Sequence, residues 1–221
     1  MTDSQRATLG YIGPFAVFIG FMALEKSVFH SQHLYPVRCL VTIAAIALFS
    51  RPYLSFRPTH PWSSIAIGIA VFAVWIAPDA LFGYRHFWLF ENSLTGSSAS
   101  TIGPGDQSDI FFLACRTFGS ALLVPILEEL FWRGWMMRWL VKPEFLKVPL
   151  GTYAPLAFWV TAILFASEHG PYWEVGLAAG IIYNWWMVRT RSLADCMLAH
   201  AVTNGALAAY VMATGAWRYW L

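Results

Sequence analysis

Seven stretches of the chain are almost wholly apolar, and short runs holding most of the Pro, Arg and Lys divide them. They cover about 9–24, 37–50, 63–82, 110–141, 153–167, 175–188 and 193–212. At about 20 residues per membrane crossing, this layout predicts an all-α, polytopic transmembrane helical bundle of about seven spans, with eight as the alternative. Pro52, Pro58 and Pro61 close the second stretch, since proline ends a helix that precedes it. Pro78-Asp79 predicts a kink or an early exit near the end of the third. The longest polar run, 91–109, is rich in Gly and Ser and reads as a loop on one membrane face. A tether is expected there rather than a lid, with a short interfacial helix near 87–90. No internal repeat or phosphate-binding loop interrupts the series, so 1–221 is read as one integral membrane domain.

Composition narrows the class. The 221 residues are 58% hydrophobic and 12% charged, against about 25% charged in an average soluble domain. Mean hydropathy is +0.54. These values exclude a soluble enzyme. A net charge of +2 with no basic run excludes a nucleic-acid surface. The 12 Trp and 9 Tyr suit the aromatic belts of membrane interfaces. Cys39, Cys115 and Cys196 fall in apolar stretches and read as small buried hydrophobes. The amino-terminal residues lack a cleavable signal pattern, so the first apolar stretch is expected to remain as a span.

Lys and Arg set the expected orientation. Arg6, Arg51, Arg57, Arg133, Arg138, Lys142, Lys147, Arg189 and Arg191 fall on one side, against Lys26, Arg38, Arg85 and Arg218. This places the amino terminus in the cytoplasm. Arg116, near the start of the fourth span, is expected to snorkel to the interface.

Charge inside the apolar stretches is where chemistry is sought, because an intramembrane carboxylate costs about 2.5–3.5 kcal/mol on insertion scales. Glu128 and Glu129 sit together in the fourth stretch. Glu129 and Arg133 are four apart and can pair on one helical face, which leaves Glu128 pointing elsewhere. His169 follows Phe165 at the far end of the fifth stretch. His200 and Asn204 are four apart inside the seventh and share a face. At about 1.5 Å per residue, Glu128 and His169 both lie about 20–24 Å from one membrane face, whereas His200 lies only about 10 Å deep; tilt or a shifted helix start is needed to bring it level. His30 and His33 could meet on one turn, but read as loop histidines rather than a metal site.

A glutamate, two histidines and an asparagine can hydrolyse a peptide without a serine or cysteine. A desolvated glutamate is a base for water, a neighbouring imidazole shares the proton traffic, and a second imidazole with an amide can stabilise the oxyanion. The alternatives are a small proton-coupled transporter or channel using the same cluster, and an idle immunity or scaffold protein.

Glu-Glu-x-x-x-Arg, Phe-x-x-x-His and His-x-x-x-Asn, in this order on successive apolar helices, resemble the CPBP family. It comprises the Rce1-like CAAX prenyl proteases and the bacteriocin-processing or immunity proteins of the Abi group. The resemblance covers roughly 122–208, within an expected catalytic helical core of 110–213; the amino-terminal spans, 1–90, carry no motif of the family. It implies an intramembrane endopeptidase acting on a membrane-associated protein or peptide. Carried over by position, Glu128 and His169 would activate water, His200 and Asn204 would hold the oxyanion, and Glu129 with Arg133 would orient the site. The His-Glu-x-x-His zinc pattern is absent. No cofactor is expected, with zinc held by the His and Glu donors as the less favoured alternative. The compact chain suggests a bacterial member in the inner (cell) membrane.

Overall fold

The structure, a computed structural model, describes residues 1–29 and 34–220. His30 and His33 lie outside the described residues. Helices account for the apolar stretches: α1 (Asp3–Leu24), α2 (Tyr35–Ala45), α3 (Pro61–Phe82), α4 (Ile110–Trp139), α5 (Pro155–Ser167), α6 (Trp173–Thr190) and α7 (Leu193–Thr214). Among the described residues, α3, α4, α7 and α1 with its wider-wound extension to Val28 are long and apolar enough to cross a bilayer, and α5 is shorter. The chain is an all-α integral membrane protein.

Local chemistry explains where the helices start and stop. Thr2 and Gln5 form a reciprocal capping box at the head of α1. The Asp109 carboxylate accepts the backbone N–H groups of Phe111 and Phe112 at the head of α4. Pro61 opens α3, where its missing N–H costs nothing. Gly83 (φ +59°) closes α3 in the left-handed conformation, and Gly215 (φ +69°) does the same for α7. The early exit expected at Pro78 does not occur: α3 runs through it to Phe82. Asp79 instead turns inward, accepting the Tyr219 hydroxyl at 2.6 Å.

Packing is inverted relative to a soluble bundle. Trp62, Leu81, Phe82, Ile110 and Phe111 are exposed, whereas Glu129, Arg133, Asp195 and His200 are buried. In lipid every polar group has to be satisfied within the protein, and α3 and α7 show how. They lie side by side, so close at Gly68 that an added Cβ would collide with the Ala199 carbonyl oxygen. At one end, Asp195 accepts from Thr59 N and Oγ1 (2.8 Å each), His60 N (2.7 Å) and Ser64 Oγ (2.9 Å). At the other, Asp79 holds Tyr219, which follows α7.

The depth mismatch for His200 disappears for a structural reason. α7 begins beside the body of α4 rather than level with its end. Its first residue, Leu193, is buried against Gly134 of α4, more than one turn inside the Trp139 end of that helix. Two π-wound segments in α4, Gly119–Leu123 and Leu130–Met136, further shift which residues face the bundle.

The side expected to be cytoplasmic carries Arg6, Arg51, Arg57, Lys142, Lys147, Arg189 and Arg191 at its surface, against Lys26 and Arg218 opposite. Arg133 and Arg138 drop out of the count because both are buried. Arg38 and Arg85, on the other side, drop out for the same reason.

Replacing Gly68 by Ala forces α3 away from α7 against two backbones that cannot yield. The expected outcome is a loss of about 1–3 kcal/mol of stability, read as a lower melting temperature of the protein in detergent.

Candidate active site

The site is assembled around Arg133, which has no exposed surface. Its Nη1 meets Glu129 Oε1 at 3.1 Å, Nε donates to Asn184 Oδ1 at 3.0 Å, and Nη2 donates to the Gly180 carbonyl at 3.4 Å. The guanidinium lies over the Phe165 ring, 4.5 Å from its centroid. Asn184 in turn donates to the Phe158 carbonyl at 2.8 Å. One side chain thereby ties α4, α5 and α6 together.

Glu129 passes this order on to α7. Its Oε1 also meets His200 Nδ1 at 2.9 Å. Because a carboxylate is an acceptor only, the ring proton sits on Nδ1. His200 is stacked on Tyr183, 5.0 Å between centroids. The Tyr183 hydroxyl donates to Thr203 Oγ1 at 2.7 Å. The second ring nitrogen, Nε2, stands 4.0 Å from Glu128 Oε2. That carboxylate oxygen has no hydrogen-bond partner.

His169 is held differently. It lies in the turn between α5 and α6, and its Nδ1 donates to the Phe165 carbonyl at 2.8 Å. Trp75 packs its ring 5.2 Å from the imidazole. Gly176 lies under it, where a Cβ would come within 3.1 Å of the ring. With Nδ1 committed to a carbonyl, the neutral ring can only accept at Nε2. The structure joins Glu128 to His200 rather than directly to His169: among the described residues no ion pair or hydrogen bond links Glu128 with His169.

Asn204, one turn beyond His200, donates one amide hydrogen to the Ser120 carbonyl at 2.9 Å. That carbonyl lies in the π-wound segment of α4. Glu128, His169, His200 and Asn204 all line one cavity of about 1050 Å³. Glu129 and Arg133 stand behind its wall.

The long polar loop differs from the expected tether. Thr95, Gly96 and Ser97 line the same cavity, and the Thr95 carbonyl abuts Gly170, next to His169. Glu91 shapes this part: its carboxylate accepts Ser97 Oγ at 2.6 Å and Ser98 N at 2.9 Å. These bonds hold its carboxyl below the ordinary value. Arg85 anchors the start of the loop, with Nη2 on Glu174 Oε1 at 2.7 Å and its guanidinium over Tyr172. Residues 87–90 form turns rather than a helix. Arg116 lines the cavity with its guanidinium over the Tyr35 and Trp220 rings.

Three supporting contacts escaped the sequence reading. Asn184 is a lone amide in an apolar helix, a signal available but unread. The Phe165 ring and carbonyl each serve the site, which only coordinates reveal. Tyr183 looked like any other core aromatic. The three cysteines are free, with Cys39 and Cys196 buried. Among the described residues no three His, Cys, Asp or Glu side chains are grouped to hold a metal.

An all-α membrane protein with a polar pocket of this kind belongs to a small set of classes, and comparison names one. Residues 110–206 match the family model described as type II CAAX prenyl endopeptidase Rce1-like. Over that stretch the chain is similar to Rce1-like domains. The match takes in α4, α5, α6 and most of α7. Neither the curated proteins nor the solved structures gave a match.

Asn184→Ala removes the acceptor from Arg133 Nε inside a dry region. Losing a hydrogen bond to a charged group is expected to cost about 1.5–3 kcal/mol. Thermal unfolding of the purified variant measures it; a melting temperature equal to wild type would contradict the role given to Arg133 as the central tie.

Proposed function

We propose that this protein hydrolyses a peptide bond of a membrane-associated protein or peptide inside the bilayer, with water activated by Glu128 and His169. The observation that carries this reading is the Glu128 carboxylate. It faces a cavity shared with both imidazoles and Asn204, and one of its oxygens has no partner of its own.

The roles follow from which atoms are already committed. Glu128 lines the cavity, with Oε2 unpartnered, and acts as base toward water. His169 Nε2 is an acceptor, which orients the same water. As the water oxygen attacks the carbonyl carbon, negative charge develops on the carbonyl oxygen. Asn204 keeps one amide hydrogen after serving Ser120, and this hydrogen is offered to the oxyanion. His200 stands beside Glu128 at the cavity and joins Asn204 in holding the oxyanion. Preorganised donors of this kind are worth about 2.7–4 kcal/mol each in the transition state. Glu129 and Arg133 act through His200 as positioning residues, fixing its tautomer and angle much as a carboxylate orients the histidine of a catalytic triad. No step is routed through a metal.

The cavity is large enough for several residues of an extended peptide. The exposed cations at the amino-terminal side support an orientation with that terminus in the cytoplasm of a bacterial cell membrane.

The test uses protein reconstituted in liposomes with a panel of fluorogenic peptides anchored by a prenyl or acyl chain. Glu128→Gln and His169→Ala are expected to lower kcat/KM by about 10²–10⁴-fold, and His200→Ala by about 10²–10³-fold, with melting temperatures close to wild type for Glu128→Gln. Wild-type rates in all three variants would overturn the mechanism.

A further inference from the structure

For His169 to orient water toward Glu128, its ring must keep a fixed place against α4. His169 sits in the turn after α5, where helical geometry no longer sets the direction of a side chain. Its Nδ1 bond to the Phe165 carbonyl fixes the tautomer. Both partners of that bond belong to one short stretch, so the bond cannot set the level of the ring against another helix. Gly176 of α6 gives the ring room but has no side chain to grip it. α3 supplies the grip. The Trp75 ring meets the imidazole edge to face, with 5.2 Å between centroids and 69° between planes.

Trp75 is itself well anchored. Its ring is stacked on Tyr172, at 6.2 Å and 13°. Tyr172 is buried, carries the Arg85 guanidinium 3.9 Å from its ring centroid, and donates its hydroxyl to the Arg218 carbonyl at 2.8 Å. Polar ties on both sides of Trp75 fix its height along α3. Two turns earlier, the Gly68 carbonyl accepts Thr203 Oγ1 of α7 at 2.8 Å, and one turn later Asp79 accepts the Tyr219 hydroxyl. Val71, one turn before Trp75, is fully buried and lines the same cavity. α3 lies outside 110–206, so the Rce1-like stretch does not contain this contact.

We propose that Trp75 is a positioning residue for His169, and that the working site therefore takes in α3 as well as the Rce1-like stretch. The inference rests on the endopeptidase reading above. The indole holds the imidazole at the angle at which Nε2 orients the attacking water. Without that ring the imidazole swings in the cavity, and the water is held in line for only part of the time. A displacement of about 1 Å at a reacting group can cost about 10²-fold in rate. The loss falls on kcat rather than KM, because Trp75 acts through His169 and His169 acts on the water.

The experiment is a double-mutant cycle. Trp75→Leu fills space without an aromatic face, and Trp75→Phe keeps one. Each is made in wild type and in His169→Ala, and cleavage of the anchored fluorogenic peptides is followed in liposomes. Trp75→Leu is expected to lower kcat by about 10–100-fold, with KM within about threefold of wild type. Trp75→Phe is expected to recover most of that rate and to stay about two- to tenfold below wild type. In His169→Ala no imidazole is left to position, so either substitution is expected to change the residual rate by less than about twofold. Packing alone would lower the rate by the same factor in both backgrounds. If Trp75→Leu does not fold, the cycle is read with Trp75→Phe. Equal factors in the two backgrounds, or wild-type kcat in the Trp75 variants, overturn the positioning role and leave the endopeptidase reading standing. Wild-type cleavage by His169→Ala, or no cleavage by the unaltered protein, overturns that reading and the positioning role with it.

Discussion

A single buried guanidinium holds the functional half of this protein together. Arg133 is fully enclosed, and each of its three nitrogens meets an acceptor from α4 or α6 while its face lies on a ring from α5. Removing one partner of a buried ion pair typically costs about 3–5 kcal/mol, because the other charge is left uncompensated. The pairing therefore does more than neutralise Glu129. It fixes the angle at which α5 and α6 meet α4, and through the shared Glu129 oxygen it also fixes His200 on α7.

From this tie the rest of the site follows by constraint. Phe165 illustrates the economy of the arrangement: its ring covers Arg133 while its carbonyl accepts from His169 four residues later. Any shift of Arg133 would move the ring, the carbonyl and the imidazole together. The two polar clamps on α3 and α7 serve the same end. Asp195 with Thr59, His60 and Ser64 at one end, and Asp79 with Tyr219 at the other, set the level of α7. The level of α7 sets the depth of His200.

The two histidines acquire different chemistry from different neighbours. His169 gives its Nδ1 hydrogen to a carbonyl, and His200 gives its own to a carboxylate that is itself held by an arginine. One ring is left as an acceptor. The other is set between two carboxylates. Sorting identical side chains into separate roles by second contacts is how a site with few residue types can run acid and base steps together. In a membrane this matters more than in water, since a misplaced polar group finds no solvent to satisfy it.

Much of this was legible before any coordinates. The apolar blocks gave the helices, the four-residue spacings gave the Glu129–Arg133 pair and the shared face of His200 and Asn204, and the cost of intramembrane charge marked Glu128. Helical periodicity is a local property, so spacing alone reveals which side chains share a face. Depth and partnership are not local. The tucked start of α7 beside Gly134, the continuation of α3 through Pro78, the loop wall at Thr95–Ser97, the inward Arg116 and the service of Asn184 and Phe165 all depend on contacts between residues distant in the chain. So does the neighbour of Glu128, which is His200 rather than His169 by direct approach. Periodicity says which way a side chain points from its own helix; what stands opposite is fixed only when the helices choose their register against one another.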